Sequence, residues 1–338
     1  MIADMKNAFK ILSAFLALTI TFAALPNQAS AFSKSPATVK KVAQNSDGGA
    51  LAAIAGVQPQ ASAVAQTARK AAANAVSVVP FRSEAMKTDI MATVVLPDAY
   101  FTNPEQRFPV VYLLHGFGGS HKTWIGIRPD LQRLASMYSV IIVCPDGKTS
   151  WYWDAPKKPQ FKFETFVSKE LVSQVDKKYR TIADRTARAI TGLSMGGHGG
   201  LWLGFRHQDV FGACGATSGG VDIRPFPRAW KMSENLGERD ANKEIWDSHT
   251  VINQLDRLQP NKLAIIIDCG TEDFFYKVNE NLHAELLKRK IPHDYITRPG
   301  KHNSPYWRNS IASQLMFFDS YVHDKNFLWT RLGAPKKN

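Results

Sequence analysis

Short apolar runs alternate with amphipathic stretches along most of this chain, and that rhythm constrains its fold more than any other feature. Residues 110–114, 140–144, 187–191, 211–216 and 263–268 are brief, largely apolar runs with the length of buried strands. Residues 293–297 read as one more strand, and 129–138, 163–179, 195–205, 278–290 and 304–322 read as helices. Phe163, Phe166, Val167, Leu171 and Val175 recur at helical spacing, and Pro129 suits the first turn of its helix. Strands separated by helices predict an α/β fold with a mostly parallel sheet covered on both faces. Two β-like stretches, 76–82 and 90–96, come first with no helix between them and are expected to add an antiparallel edge. With 338 residues, 44% apolar and 21% charged, the chain can bury a sizeable core, which excludes a disordered protein.

The first 75 residues stand apart. Lys6 and Lys10 precede an apolar run over 11–25, followed by Pro26 and then Ala29-Ser30-Ala31. This is the layout of an export signal over 1–31, with cleavage expected after Ala31 and a secreted or periplasmic product. The run falls short of the ~20 residues a membrane span needs, so no stable membrane anchor is expected after cleavage. Residues 32–75 are rich in Ala, Ser and Gln, lack aromatics after Phe32, and read as a flexible linker ahead of a folded domain over 76–338. The formal charge of +13 comes from 42 Lys+Arg against 29 Asp+Glu, and its longest basic run is only Lys288-Arg289-Lys290. That spread reads as solubility, and no nucleic-acid partner is expected. Three cysteines exclude a disulfide scaffold. Cys144, Cys214 and Cys269 are expected as buried thiols, with a Cys214–Cys269 bridge left open should their strands be neighbours.

The chemistry concentrates in Gly192-Leu193-Ser194-Met195-Gly196, which follows the 187–191 strand and opens the 195–205 helix. A G-x-S-x-G in that context is a nucleophile elbow, a sharp turn that displays a serine hydroxyl at the end of the sheet. A serine hydroxyl is a weak nucleophile and needs a base, which in turn needs an orienting carboxylate. In this architecture both partners follow the serine, on loops after later strands. His302 is the histidine that sits between the last strand and the last helix, so it is expected as the base. For the acid, Asp273 ranks ahead of Glu272 and Asp268, because it lies in the loop beyond the strand end. The oxyanion hole is expected from the Met195 N–H and a second amide in His115-Gly116-Phe117-Gly118-Gly119, that of Phe117 or alternatively Gly118. Trp124, Trp151 and Trp153 fall on loops at the same edge and are candidates for stacking on a substrate, or for packing those loops together. The polar stretch 218–259 is a candidate cap.

Three motifs carry a family resemblance: His115-Gly-Phe-Gly-Gly119, Gly192-Leu-Ser-Met-Gly-Gly-His-Gly199, and Pro299-Gly-Lys-His302 with Tyr306-Trp307. Together, over roughly 76–323, the chain resembles the "Putative esterase" family of α/β-hydrolases. Its members include S-formylglutathione hydrolases, feruloyl and acetyl-xylan esterases, and mycolyltransferases. The resemblance implies an α/β-hydrolase fold with Ser194, Asp273 and His302 as its triad. The expected activity is hydrolysis of carboxylic esters through an acyl-enzyme, on substrates that include acyl groups carried by carbohydrate. Acyl transfer and thioester hydrolysis on a formylglutathione-like substrate are the alternatives. No cofactor or metal is expected, since no phosphate loop, nucleotide fingerprint or metal-ligand spacing is evident.

Overall fold

A computed structural model of the protein describes residues 75–324 and Phe327. The expected export signal over 1–31 and the linker up to residue 74 lie outside the described residues. Eight strands form one sheet: β1 (Val76–Ser83), β2 (Thr88–Val95), β3 (Val110–Leu114), β4 (Ile141–Pro145), β5 (Arg188–Gly192), β6 (Ala213–Thr217), β7 (Ala264–Gly270) and β8 (Asp294–Arg298). Their spatial order is β1-β2-β4-β3-β5-β6-β7-β8. The β1–β2 and β2–β4 pairs are antiparallel and every other pair is parallel, so the expected antiparallel edge is present.

Burial follows from this order. Every residue of β3, β4, β5, β6 and β7 is buried, as strands sandwiched between helices require, while β8 at the open edge stays partly exposed. Successive side chains of β3 point to opposite faces. Val110, Tyr112 and Leu114 join one hydrophobic cluster, and Val111 and Leu113 join the other. The principal helices are α1 (Leu131–Met137), α2 (Phe163–Thr165, Phe166–Leu171 and Val172–Lys178 in succession), α3 (Met195–Arg206), α4 (Tyr276–Lys288) and α5 (Ser304–His323). Helices α2, α3 and α4 cover the first face, and α1 and α5 the second.

One departure from the sequence expectation has a local cause, and one alternative it left open is closed by the strand register. The helix expected over 163–179 is not uniform, because Phe166–Leu171 is wound as a π-helix. There the Ser168 hydroxyl donates to the Glu164 carbonyl at 2.7 Å, a side-chain bond that competes with the regular helical ladder. The cysteine bridge left open is not formed, and all three thiols are free and buried. Strands β6 and β7 are indeed neighbours, but the register sets Cys214 beside Ile265, four residues short of Cys269. A disulfide needs Cα atoms within about 7 Å, and four residues along a strand span about 13 Å.

Between β6 and β7 the chain forms short helices at Met232–Leu236, Lys243–Ser248 and Val251–Arg257. Val251, Leu255 and Trp246 are buried in the first cluster with α3, so much of the expected cap is packed into the body. Its early part, around Phe226 and Trp230, reaches the rim where the β7 loop begins. Among the described residues no helix is long and apolar enough to cross a membrane.

Candidate active site

The turn from β5 into α3 holds Ser194 at φ 56° and ψ −117°, a region that non-glycine residues occupy only under constraint. The constraint is visible. The Ser194 N–H donates to the Thr217 carbonyl at 2.9 Å, and the Ser194 carbonyl accepts from His198 N–H at 2.9 Å. The strand and helix cross so closely that side chains are excluded on both sides of the serine. A Cβ on Gly192 would lie 2.5 Å from the Leu114 carbonyl oxygen, and one on Gly196 2.4 Å from the same atom. Backbone would have to move to admit either, which explains the two outer glycines of the motif.

His302 is presented by the loop between β8 and α5. Asn303 caps α5, its side chain accepting from Tyr306 N–H at 3.2 Å, and Pro305 fills the first turn. The loop is sewn to the one after β7: Thr271 N–H donates to the Arg298 carbonyl at 3.0 Å and Glu272 N–H to the Gly300 carbonyl at 2.9 Å. These bonds bring the expected residues together. His302 Nε2 is 2.9 Å from Ser194 Oγ, and Nδ1 is 3.0 and 2.9 Å from the two oxygens of Asp273. Asp273 Oδ1 also accepts from Phe275 N–H at 2.8 Å, and its side chain has no exposed surface. With Nδ1–H donating to the carboxylate, Nε2 is left as the acceptor for the serine hydroxyl.

The two runner-up acids are placed elsewhere. Glu272 is exposed and lies 3.7 Å from Lys301 Nζ. Asp268 is fully buried inside β7, two residues before its end, where it accepts from the Tyr306 hydroxyl at 2.5 Å and from the Arg298 guanidinium. Burial pushes its carboxyl above the usual range, against the opposing pull of those two donors. Arg298 and Tyr306 bracket His302 in sequence, so this carboxylate anchors both ends of the loop that carries the imidazole.

Across the site, the loop after β3 packs on the elbow. A Cβ on Gly116 would lie 2.6 Å from Leu193 Cδ1 and 3.2 Å from Ser194 Cβ. Gly119 N–H donates to the Gly116 carbonyl at 3.0 Å, closing a turn with Phe117 and Gly118 at its centre, and Gly118 adopts φ 75°. His115 braces the loop: Nδ1 donates to the Gly116 carbonyl at 2.7 Å and Nε2 accepts from Gly147 N–H at 2.7 Å. The Phe117 N–H makes no hydrogen bond among the described residues. The Met195 N–H opens α3, where no intrahelical acceptor exists.

The aromatic candidates are corrected by their burial. Trp124, Trp151 and Trp153 are each at most 1% exposed, so none offers a ring face to a substrate. Their indole N–H groups donate inward, to the Leu114 carbonyl at 2.9 Å, the Trp230 carbonyl at 3.4 Å and His198 Nε2 at 2.8 Å. They pack the loops. The aromatic groups that do border the imidazole were not singled out by the sequence reading as substrate contacts. Phe274 lies with its ring centre 4.2 Å from that of His302, and Trp307 meets the imidazole edge-on at 5.0 Å. The signal was the position of Phe274 directly after Asp273. Among the described residues no group of three or more His, Cys, Asp or Glu side chains is arranged to hold a metal ion.

His198, one turn into α3, is fully buried beneath the elbow. It bonds the Gly220 carbonyl through Nδ1 at 2.9 Å and accepts from Trp153 at Nε2, and burial lowers its pKa to about 3. Burial also lowers His121, His249 and His293. Below the ordinary value of 6.5 the unfolded chain binds protons that the folded His198 refuses. The stability from the neutral ring is therefore complete above pH 6.5 and is lost as the pH falls from there toward 3. Denaturant unfolding from pH 7.5 to 5 should show stability falling, with His198 alone contributing about 1.4 kcal/mol per pH unit once well below 6.5. His198→Gln, which can still accept from Trp153 and donate to Gly220, should make that slope shallower by His198's share; an unchanged slope would contradict this assignment.

An eight-stranded, mostly parallel sheet with a serine elbow at its carboxyl edge defines the class of protein: an α/β-hydrolase. The family model described as "Putative esterase" matches residues 83–318, and the chain belongs to that family, the esterases that hydrolyse carboxylic esters. It is 26% identical over 261 residues to an acetyl esterase of Caldicellulosiruptor saccharolyticus, covering 71% of this chain and 96% of that one. It is 32% identical over 154 residues to an endo-1,4-beta-xylanase/feruloyl esterase of Xylanibacter ruminicola, covering 42% of this chain but only 21% of that longer protein. A solved ferulic acid esterase is similar at 28% identity with a TM-score of 0.63, covering 73% of this chain and 98% of that one.

Proposed function

We propose that this esterase releases acyl groups, acetyl or feruloyl, from carbohydrate esters, with Ser194 as nucleophile, His302 as base and Asp273 as its orienting acid. The observation that carries the reading is the unbroken line from Asp273 through Nδ1 and Nε2 of His302 to Ser194 Oγ, each step at 2.9–3.0 Å. Oγ attacks the ester carbonyl as Nε2 takes its proton, and the buried carboxylate of Asp273 stabilises the imidazolium that results. The Met195 and Phe117 amides, neither of which has an acceptor among the described residues, meet the charge that develops on the carbonyl oxygen. Nε2 then returns the proton to the departing alcohol. Water enters, repeats the attack on the acyl-enzyme, and frees Ser194.

The substrate class is supported by the names borne by the relatives, acetyl esterase and feruloyl esterase, and by an N-terminus that reads as an export signal, which suits action on extracellular polysaccharide. Export with cleavage after Ala31, followed by a linker up to the folded domain, completes the proposal. An activity screen on acetylated xylan, feruloylated arabinoxylan fragments and simple acetate esters tests it. Release of acetate or ferulate from the carbohydrate esters is expected; turnover of simple esters alone would overturn the carbohydrate assignment.

A further inference from the structure

Among the described residues Phe274 combines a large exposed apolar surface with a place beside the reacting groups. It is 51% exposed, and its ring lies against His302 at a tilt of 37°. Its ring also stacks on Trp230, centre to centre at 5.6 Å and within 21° of parallel. Trp230 and Lys231 are both left-handed, at φ 49° and 54°, a costly pair of conformations for bulky residues. The fold holds them there: the Trp230 carbonyl accepts from Trp151 Nε1, and its ring packs on Phe226 at 5.5 Å and Phe275 at 5.2 Å. Strained backbone thus supports a stacked pair of rings beside His302, with Phe274 open to water.

We propose that Phe274, backed by Trp230, is the shelf on which the leaving alcohol rests, and that it selects alcohols carrying a ring with a flat C–H or aromatic face. This assignment rests on the roles given above to Ser194 and His302. In acylation the bond from Oγ to the carbonyl carbon forms and the bond from that carbon to the alcohol oxygen breaks. The proton that Nε2 took from Oγ passes to the departing oxygen, which must lie within about 3 Å of Nε2. Whatever that oxygen carries leaves past the imidazole, and Phe274 lines that path. The acyl group is oriented differently, by its carbonyl oxygen between the Phe117 and Met195 amides. The shelf therefore acts on the alcohol and on the first half-reaction, since the alcohol is gone before water attacks. Two ring types present such a face, the C–H surface of a sugar and the π-face of an aryl group, and both stack on aromatic side chains.

A set of esters that share one acyl group separates these terms: ethyl acetate, benzyl acetate, 2-naphthyl acetate and a monoacetylated methyl xyloside. The readout is the ratio of kcat/KM for each ring-bearing ester to that for ethyl acetate, in the wild type, Phe274→Ala, Phe274→Leu and Phe274→Tyr. The ratio is expected to fall about fivefold to tenfold in Phe274→Ala. Phe274→Leu, which keeps apolar packing on His302 without a ring, should fall similarly, and Phe274→Tyr should restore the wild-type ratio. A fall confined to the xyloside assigns the shelf to sugars, and one confined to the benzyl and naphthyl esters assigns it to aryl alcohols. If all four esters slow together and the ratios hold, Phe274 merely steadies the imidazole and the proposal is overturned. Failure of the underlying roles would show separately, as hydrolysis that survives Ser194→Ala.

Discussion

Ser194→Ala is expected to lower ester turnover by about 10⁴-fold or more while leaving the protein folded. The two halves of that expectation have different origins. Every covalent step of the proposed mechanism passes through Oγ, and among the described residues His302 Nε2 hydrogen-bonds to no other hydroxyl or thiol. The three cysteines offer no substitute, being buried thiols whose pKa burial raises far above neutrality. Stability is another matter. The substitution removes one partly buried hydrogen bond, worth about 1 kcal/mol, and leaves the strained backbone of the turn as it was. Melting temperatures should therefore agree within a few degrees. Turnover in the variant above about one per cent of wild type would move the nucleophile elsewhere.

Asp273→Asn is the second large effect, expected at about 10⁴-fold in kcat with near-normal substrate binding. Both carboxylate oxygens face His302 Nδ1, and one of them also holds Phe275 N–H. The carboxylate accepts only, which fixes the proton on Nδ1 and leaves Nε2 bare for Ser194. An asparagine that keeps its carbonyl on Phe275 N–H must aim its NH₂ at Nδ1. The imidazole then takes the other tautomer, with a proton on Nε2, and cannot accept from the serine. Glu272→Gln provides the contrast: exposed and paired with Lys301, it should change kcat less than twofold. Steady-state kinetics on one acetate ester checks both. Comparable losses in the two variants would contradict the assignment of the acid.

Much of the geometry of this candidate site was legible in the sequence because the places of Ser194, Asp273 and His302 are set by chain topology. Ser194 ends a strand and starts a helix, Asp273 follows β7, and His302 separates β8 from α5, so parallel strands bring all three to one edge. Loop chemistry was less legible. Trp151 and Trp153 sit in the same edge loop as expected, yet consecutive left-handed residues at Trp151 and Tyr152, φ 56° and 61°, turn the segment inward. No pattern of residue types announces that turn. The settings of Asp268 and Phe274 depend on contacts distant in sequence, Asp268 with Tyr306 across 38 residues and Phe274 with His302. Strand periodicity located Asp268 near a strand end without revealing that Arg298 and Tyr306 converge on it.

The most direct measurement is covalent labelling with a fluorophosphonate, followed by proteolysis and mass spectrometry, because the reagent reports only a serine already activated as a nucleophile. The expected result is a single adduct on the peptide containing Ser194, formed much more slowly in His302→Ala. An adduct on a different residue, or an unmodified Ser194 in protein that hydrolyses esters, would contradict the central claim.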